Sequence, residues 1–320
     1  MYPTGGFTTL LSPDDCQTAI DAIMFETFDR PVQPAYVSVV DPMFFHQAPL
    51  DTIAFIWDED SNVGMFRETG EQQELQTDNT FIGNQAVKRV IKYTKTIPIS
   101  WEAFKTDQHG KRDKIGVQVG DRAKVTQDLK GIVNSYGDAF DGNVSTTPDG
   151  QPLSSNSHKT LKGATVDNQE TGSMGPDNLW TLVTSLANQP GQDGDPGSYL
   201  FEGILVPFTL YKSTKEVLNS VLAANSGENN LNIFDTDYGQ VMIKASIYLG
   251  STYNPGSNAN TGYHIVSRNH MIQRKVLSDL STDLIEPKYS ATDSWQHRSR
   301  FAEVTFPGSW SGYAASQGTS

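Results

Sequence analysis

The chain has 320 residues and a formal net charge of −13, with 37% hydrophobic and 19% charged residues. That is enough for a sizeable core or two modest domains, and the acidic total argues against a protein that grips nucleic-acid phosphates directly. A single cysteine, Cys16, excludes an internal disulfide, and no apolar run reads as a leader or a membrane span.

Ser12-Pro13-Asp14-Asp15 is a helix start, with a Ser cap, Pro at the first position and acids in the first turn. Ala19, Ile20, Ile23, Met24 and Phe28 form the apolar face, and Cys16 beside it reads as a buried, inert thiol. Pro31, Pro34, Pro42 and Pro49 then punctuate the chain around the extended stretch Tyr36–Val40. Together these predict an arm that crosses a surface. Thr52–Trp57 is a short strand ending in the turn signal Asp58-Glu59-Asp60-Ser61-Asn62. Gln85–Trp101 alternates as one long two-faced strand, with Val87, Ile91, Tyr93, Ile97, Ile99 and Trp101 on one face. Residues 52–101 thus form a long hairpin with no obvious cover for its apolar face. A neighbouring subunit is the natural cover.

The organising stretch is a helix over about 113–140. Its apolar stripe is Val125, Leu129, Ile132, Val133, Tyr136 and Phe140, with Asp121, Lys124, Asp128 and Lys130 off the stripe. Gly116, Gly120, Gly131 and Gly137 each weaken it by about 1 kcal/mol relative to Ala, so it leans on packing. A polar loop covers 141–175. Beyond it an α+β region has a helix from Pro176 with Leu179, Leu182, Val183 and Leu186 on one face, and a strand at Gly203–Val206. A helix carrying Tyr211, Val217, Leu218, Val221 and Leu222 follows, then strands at Val241–Leu249 and Tyr263–Val266. From Leu277 onward, Leu284-Ile285, Lys288–Arg300 and Phe301–Phe306 read as polar strands.

The charge is unevenly placed. Residues 1–80 hold 14 Asp and Glu against Arg30 and Arg67, a balance of −12. Residues 81–130 hold 11 Lys and Arg against five acids, a balance of +6. Any single charge here is a solvated one. The block-wise split suits a chain whose acidic part meets the basic part of another copy. The candidate contacts are Asp58, Glu59, Asp60, Glu68, Glu71 and Glu74 on one side and Lys88, Arg89, Lys92 and Lys95 on the other.

No residue set points to catalysis. None of the six histidines forms HExxH or pairs with cysteine at zinc spacing. Gly308-Ser309-Trp310-Ser311-Gly312 places Trp where a nucleophile elbow needs Ser. Gly116-Val117-Gln118-Val119-Gly120 lacks the spacing of a phosphate loop, and Asp58-Glu59-Asp60 lacks the periodicity of a calcium loop. Ser157-His158 are sequence neighbours, which rarely form a triad. No enzyme, cofactor or metal is expected.

The order of parts resembles the major capsid protein of tailed bacteriophages, the Hong Kong 97-type fold. Asp149-Gly150-Gln151-Pro152-Leu153-Ser154-Ser155-Asn156-Ser157-His158 is similar to the "DG-x-PL-FS-x-x-H" loop of Mu-like major head subunits, with Ser154 where that pattern has an aromatic residue. Leu205-Val206-Pro207 before an amphipathic helix resembles the family's "VP-x-x-L" segment. The resemblance implies an α+β fold in five parts: an N-terminal arm (1–50), an extended hairpin loop (51–105), a peripheral domain with the spine helix (106–164), an axial domain (165–276), and peripheral strands with a tail (277–320). It also implies self-assembly through hexamers and pentamers into an icosahedral head around double-stranded DNA, without sequence-specific binding and without a membrane. Implied partners are portal and scaffolding proteins, with a decoration protein as a further candidate. Implied locations are the virion and, during assembly, the host cytoplasm. A tail-tube subunit and a polysaccharide-acting enzyme are the competing readings. The first should be richer in hairpins and lack a spine helix. The second needs a carboxylate pair in a groove.

Overall fold

The computed structural model describes residues 13–61, 82–100, 111–220, 232–256, 258–286 and 294–318, with positions 63, 65 and 68. The expected roles of Ser12, Glu71, Glu74, Trp101, Val221, Leu222 and Lys288 lie outside the described residues, as does the side chain of Cys16. The helices are α1 (Pro13–Phe28), α2 (Lys111–Ile132), α3 (Pro176–Ala187), α4 (Tyr211–Asn219) and α5 (Ile233–Asp237). The strands are β1 (His46–Pro49), β2 (Ala54–Asp60), β3 (Ile82–Arg89), β4 (Ile91–Ser100), β5 (His158–Lys159), β6 (Thr165–Val166), β7 (Gln169–Glu170), β8 (Gly203–Pro207), β9 (Met242–Ser246), β10 (Tyr263–Val266), β11 (Ile272–Ile285), β12 (Ser294–Pro307) and β13 (Tyr313–Ser316). They divide into two units, each assembled from three stretches of sequence.

The first unit comprises Met1–Pro31, Ile91–Gln127 and Val276–Glu303. Here β4 pairs antiparallel with β12, from Ser294 opposite Ser100 to Glu303 opposite Ile91. Met24, Val119, Ala123, Leu280 and Phe301 form its core, flanked by Phe28, Tyr93, Ile97 and Ile115. Tyr93 stacks on Phe301 with ring centroids 5.0 Å apart. α1 lies along the early turns of α2, where glycine is required. A Cβ on Gly116 would meet the Ile20 carbonyl at 2.8 Å, and one on Gly120 would strike the Met24 carbonyl. Lys124 Nζ donates to the Phe28 carbonyl at 3.1 Å and to the Arg30 carbonyl.

The second unit comprises Val32–Val90, Asp128–Lys275 and Val304–Ser320. Its five-stranded sheet runs β7-β13-β10-β8-β9. β10 is antiparallel to both β13 and β8, and β8 is parallel to β9. One core joins Leu179, Leu182, Val183 and Leu186 of α3 to β8 and β10, as the helical spacing predicts. The other gathers Val37, Val39, Phe44, Phe45, Ile132 and Tyr136.

Several expectations change. The stretch after Pro31 is not an arm lying on a surface. Ala35–Val37 bonds the edge of β9, with Val37 N donating to Ala245 O and Ala245 N donating to Ala35 O, and Phe44 and Phe45 are fully buried. The long strand at 85–101 is two strands in different sheets, broken at Val90. Val90 is buried and its N–H donates to Ile53 O. The spine helix ends its α form at Ile132 and continues as a π turn over Val133–Gly137.

The stripe of α2 is also displaced. Val125 is exposed and Leu129 half-buried. Asp128, expected on the polar face, is buried and accepts from Ser38 Oγ at 2.6 Å and Val39 N at 2.9 Å. Glycines on the packed side let that face approach its neighbours with few apolar side chains, which hides it from a hydrophobic count. Ile132→Ala is expected to cost about 2–5 kcal/mol, because Ile132 is wholly buried among aromatic rings. Leu129→Ala should cost less. Urea midpoints in which Leu129→Ala costs more than Ile132→Ala would reverse the assignment of this face.

Candidate functional site

The side chains of the β2–β3 hairpin alternate, and its two faces differ in kind. The register sets Ile56 opposite Val87, Phe55 opposite Lys88 and Trp57 opposite Ala86. Phe55, Trp57, Glu59, Ala86 and Lys88 therefore share the inner face. Ile56 and Val87 share the outer face.

The inner face is covered by this chain. Phe55 and Trp57 pack on Phe306 at centroid distances of 5.7 and 5.3 Å. Trp57 Nε1 donates to the Gly308 carbonyl at 2.9 Å. A Cβ on Gly308 would stand 2.8 Å from the Trp57 indole, so this glycine is needed for close approach. Lys275 Nζ sits 5.4 Å from the centre of the Trp57 ring. Lys88 Nζ donates to the Thr146 carbonyl at 2.9 Å and lies 5.2 Å from the centre of Phe306. Burial pulls the Lys88 amine below its ordinary value.

Glu59, only 4% exposed, is the most constrained charge of the hairpin. Its Oε1 accepts from Gln192 Nε2 at 2.7 Å and from Ser309 Oγ at 2.7 Å, and its Oε2 from Asn84 Nδ2 at 3.2 Å. Burial pushes this carboxyl above its ordinary value, against the pull of Ser309 and Asn84. The 141–175 loop is ordered beside this network. The Asp138 carboxylate accepts from the amides of Asn143, Val144 and Ser145 at 2.7–2.9 Å. Asp149 Oδ2 lies 2.8 Å from His158 Nδ1, and the His158 ring stacks on the buried Trp310. Burial alone would raise the Asp149 carboxyl, but hydrogen bonds from His158 and Thr147 hold it below its usual range.

Among the described residues, none covers the outer face. Ile56 is 59% exposed and Val87 77%. Ile53 and Ile82 are likewise exposed. Directly opposed apolar residues left in water are the signature of a surface that another element covers.

The sequence-predicted charges therefore separate. Glu59 and Lys88 are turned inward and satisfied within the chain, so neither belongs to an exposed contact surface. Asp58 is half-buried, with Oδ1 unpaired. Asp60, Glu68 and Arg89 are exposed. Lys92 and Lys95 are exposed on β4 in the first unit. Lys95 and Arg122 border a groove of about 650 Å³ whose floor includes Tyr93, Val119, Leu280 and Phe301. Sequence reasoning missed the Pro307–Gly312 platform. Its signal in the sequence is the Gly-Ser-Trp-Ser-Gly run, small residues around one large ring.

No family model matches the chain, and no curated protein matches it in sequence. Its fold is similar to solved capsid structures over nearly its whole length. The capsid of the cyanophage P-SCSP1u aligns with TM-score 0.55 and 12% identity, covering 91% of each chain. The capsid of a native GTA particle aligns with TM-score 0.54 and 10% identity, covering 99% of this chain and 94% of that one. The virus-like particle from Pyrococcus furiosus aligns with TM-score 0.52 and 8% identity, covering 93% and 98%. At these identities the likeness is one of architecture, and the architecture is the α+β Hong Kong 97-type capsid fold.

Proposed function

We propose that this chain is a major capsid subunit that self-assembles, through hexamers and pentamers, into an icosahedral phage head enclosing double-stranded DNA. The observation that carries the reading is the match of nearly the whole chain to capsid structures, joined to a hairpin whose outer apolar residues Ile56 and Val87 stand exposed among the described residues. Ring contacts are heterologous and close by rotation, and many modest contacts add over a shell. The subunit acts by assembly, not catalysis. The wording of the Asp149–His158 loop supports a likeness to the Mu-like major head subunits. The parts are assigned as N-terminal segment (1–50), whose stretch after Pro31 is built onto the edge of β9, extended loop (51–105), peripheral domain (106–164 and 277–320) and axial domain (165–276). Portal, scaffolding and decoration proteins are its further partners, with assembly in the host cytoplasm and residence in the virion. Electron microscopy of the purified protein tests the reading. Closed shells are expected, and tubes or only monomers would defeat it.

The contact surface between copies is assigned to Asp58, Asp60, Glu68, Glu71 and Glu74 against Arg89, Lys92 and Lys95. Exposed pairs are worth roughly 0–1 kcal/mol each, so they set rate and register more than stability. The triple reversal Arg89→Glu, Lys92→Glu, Lys95→Glu should stop particle formation while the urea midpoint stays within about 0.5 kcal/mol of wild type. Wild-type assembly should slow as salt rises, because screening shortens from about 10 Å at 0.1 M to about 3 Å at 1 M. Light scattering measures both. Normal kinetics from the triple variant would remove these residues from the interface.

A further inference from the structure

We propose that Glu59 is a proton-operated latch, setting how firmly the connection end of the β2–β3 hairpin is held to the 190–199 and 308–312 loops. The inference concerns the lone chain and does not depend on the shell reading. Glu59 is the junction of three separate stretches. Asn84 reaches it from β3, Gln192 from one loop, and Ser309 from the other. All three donate, so the seat as built receives a carboxylate. The same seat can also receive the acid. Ser309 Oγ lies 3.2 Å from Ser311 Oγ, and Tyr199 in turn is hydrogen-bonded to Ser311. If Glu59 takes up a proton from solvent at Oε1, its O–H donates to Ser309 Oγ, and the Ser309 hydroxyl turns to donate to Ser311 Oγ. One proton enters, no bond between heavy atoms breaks, and the hydroxyl chain stays paired. A leucine in place of either serine would not permit this reversal.

The two states differ in what they gain from opening. A buried carboxylate recovers its hydration when this end of the hairpin swings into water, whereas the neutral acid recovers little. The charged groups that face Glu59 are Asp149 and His158, of opposite sign in their effect on it. Asp193, also buried, acts on Tyr199 at the far end of the hydroxyl chain. Burial outweighs these and raises the Glu59 carboxyl. A carboxyl raised on burial stabilises the closed seat below its ordinary value, and that contribution is lost as pH rises through the raised value. The latch is therefore tightest in mild acid and loosens toward neutrality. Asp149 runs the other way. Its lowered carboxyl contributes above the ordinary carboxylate value and is lost only as pH falls below it. Between about pH 4.5 and 7, the two are separable.

Hydrogen exchange of the full-length, unassembled chain tests this. Protection of the Phe55–Glu59 and Asn84–Lys88 amides is corrected for intrinsic rate and referred to the β8 and β10 amides. It should fall between pH 4.5 and 7 in the wild type, by on the order of tenfold for each unit by which the carboxyl is raised. Glu59→Gln, which keeps the neutral form, should hold the high protection throughout. Asp149→Asn should leave the wild-type trend in place. The latch is refuted if Glu59→Gln keeps the wild-type trend, or if Asp149→Asn abolishes it. Infrared difference spectroscopy on the wild type gives a check that needs no folded variant. A buried carboxylic acid C=O band should appear as pH drops from 7 toward the ordinary carboxyl value, and its absence would also overturn the proposal.

Discussion

Gly120→Leu should unfold the first unit or nearly so, with an expected net loss on the order of 2–5 kcal/mol. Two effects oppose each other. Replacing a mid-helix glycine gains about 1 kcal/mol of helix propensity. Against it, a side chain at 120 must enter space held by backbone. The Met24 carbonyl lies against its Cβ position, with Thr27 Cβ 3.0 Å and Phe28 N 3.2 Å away. Backbone atoms of a helix cannot turn aside as a flexible side chain can. α1 must therefore lift, exposing Ile20 and Met24, both buried, at about 1.5–3 kcal/mol each. Gly116 lies one turn earlier against the Ile20 carbonyl, so the lift cannot be relieved by sliding along the helix. Urea unfolding followed by far-UV circular dichroism measures the loss. A midpoint at or above wild type would show that α1 does not seat on these glycines.

The second unit should be strongly acid-labile, through two buried histidines. His270 Nε2 donates to the Met43 carbonyl at 3.0 Å, and its Nδ1 accepts from Ile272 N at 3.0 Å. A proton on Nδ1 would break that second bond. Burial, with His46 alongside, lowers His270 to about 3. His264 lies 2.7 Å by Nδ1 from the Tyr313 hydroxyl, within a ring cluster with Tyr136 and Phe140. Burial lowers it to about 3 as well. The unfolded chain binds protons at both sites from about pH 6.5 downward, while the folded chain refuses them. Stability should therefore fall as pH drops below about 6.5, with most of the loss complete near 3. Each site contributes on the order of 4–5 kcal/mol at 1.36 kcal/mol per unit. Denaturant midpoints between pH 7 and 3.5 should approach a slope of two protons. Ring-proton titration of either histidine in the ordinary range, while the chain is folded, would contradict this.

The apolar periodicity of α3 was legible, because its face is made of leucine and valine alone. The α1–α2 contact was not, because Gly116 and Gly120 carry no hydrophobic signal, and their role depends on carbonyls about a hundred residues away. Asp128 was misassigned for a related reason. A buried carboxylate held by Ser38 and Val39 cannot be told from a solvated one by its neighbours in sequence. The hairpin's apolar alternation was legible, but a single residue, Val90, decides that β3 and β4 serve different sheets. The charges of the hairpin were legible as a block and not singly. Glu59 and Lys88 turn inward because the strand period places them on the face with Trp57, and only the register reveals which face that is.

The interleaving of the chain has a consequence for synthesis. Each unit draws on three separated stretches, and the last of these begin at Val276 and Val304. The first unit lacks the partner of β4 until residues 294–303 exist, and the five-stranded sheet lacks β13 until 313–316 exist. Pairings this distant in sequence form slowly and expose strand edges while they wait. A ribosome-bound chain cut short before β12 therefore presents two unfinished sheets and no finished unit. Truncated or stalled products should be cleared as misfolded polypeptide, and only chains translated through both late strands should reach the pool of competent monomers.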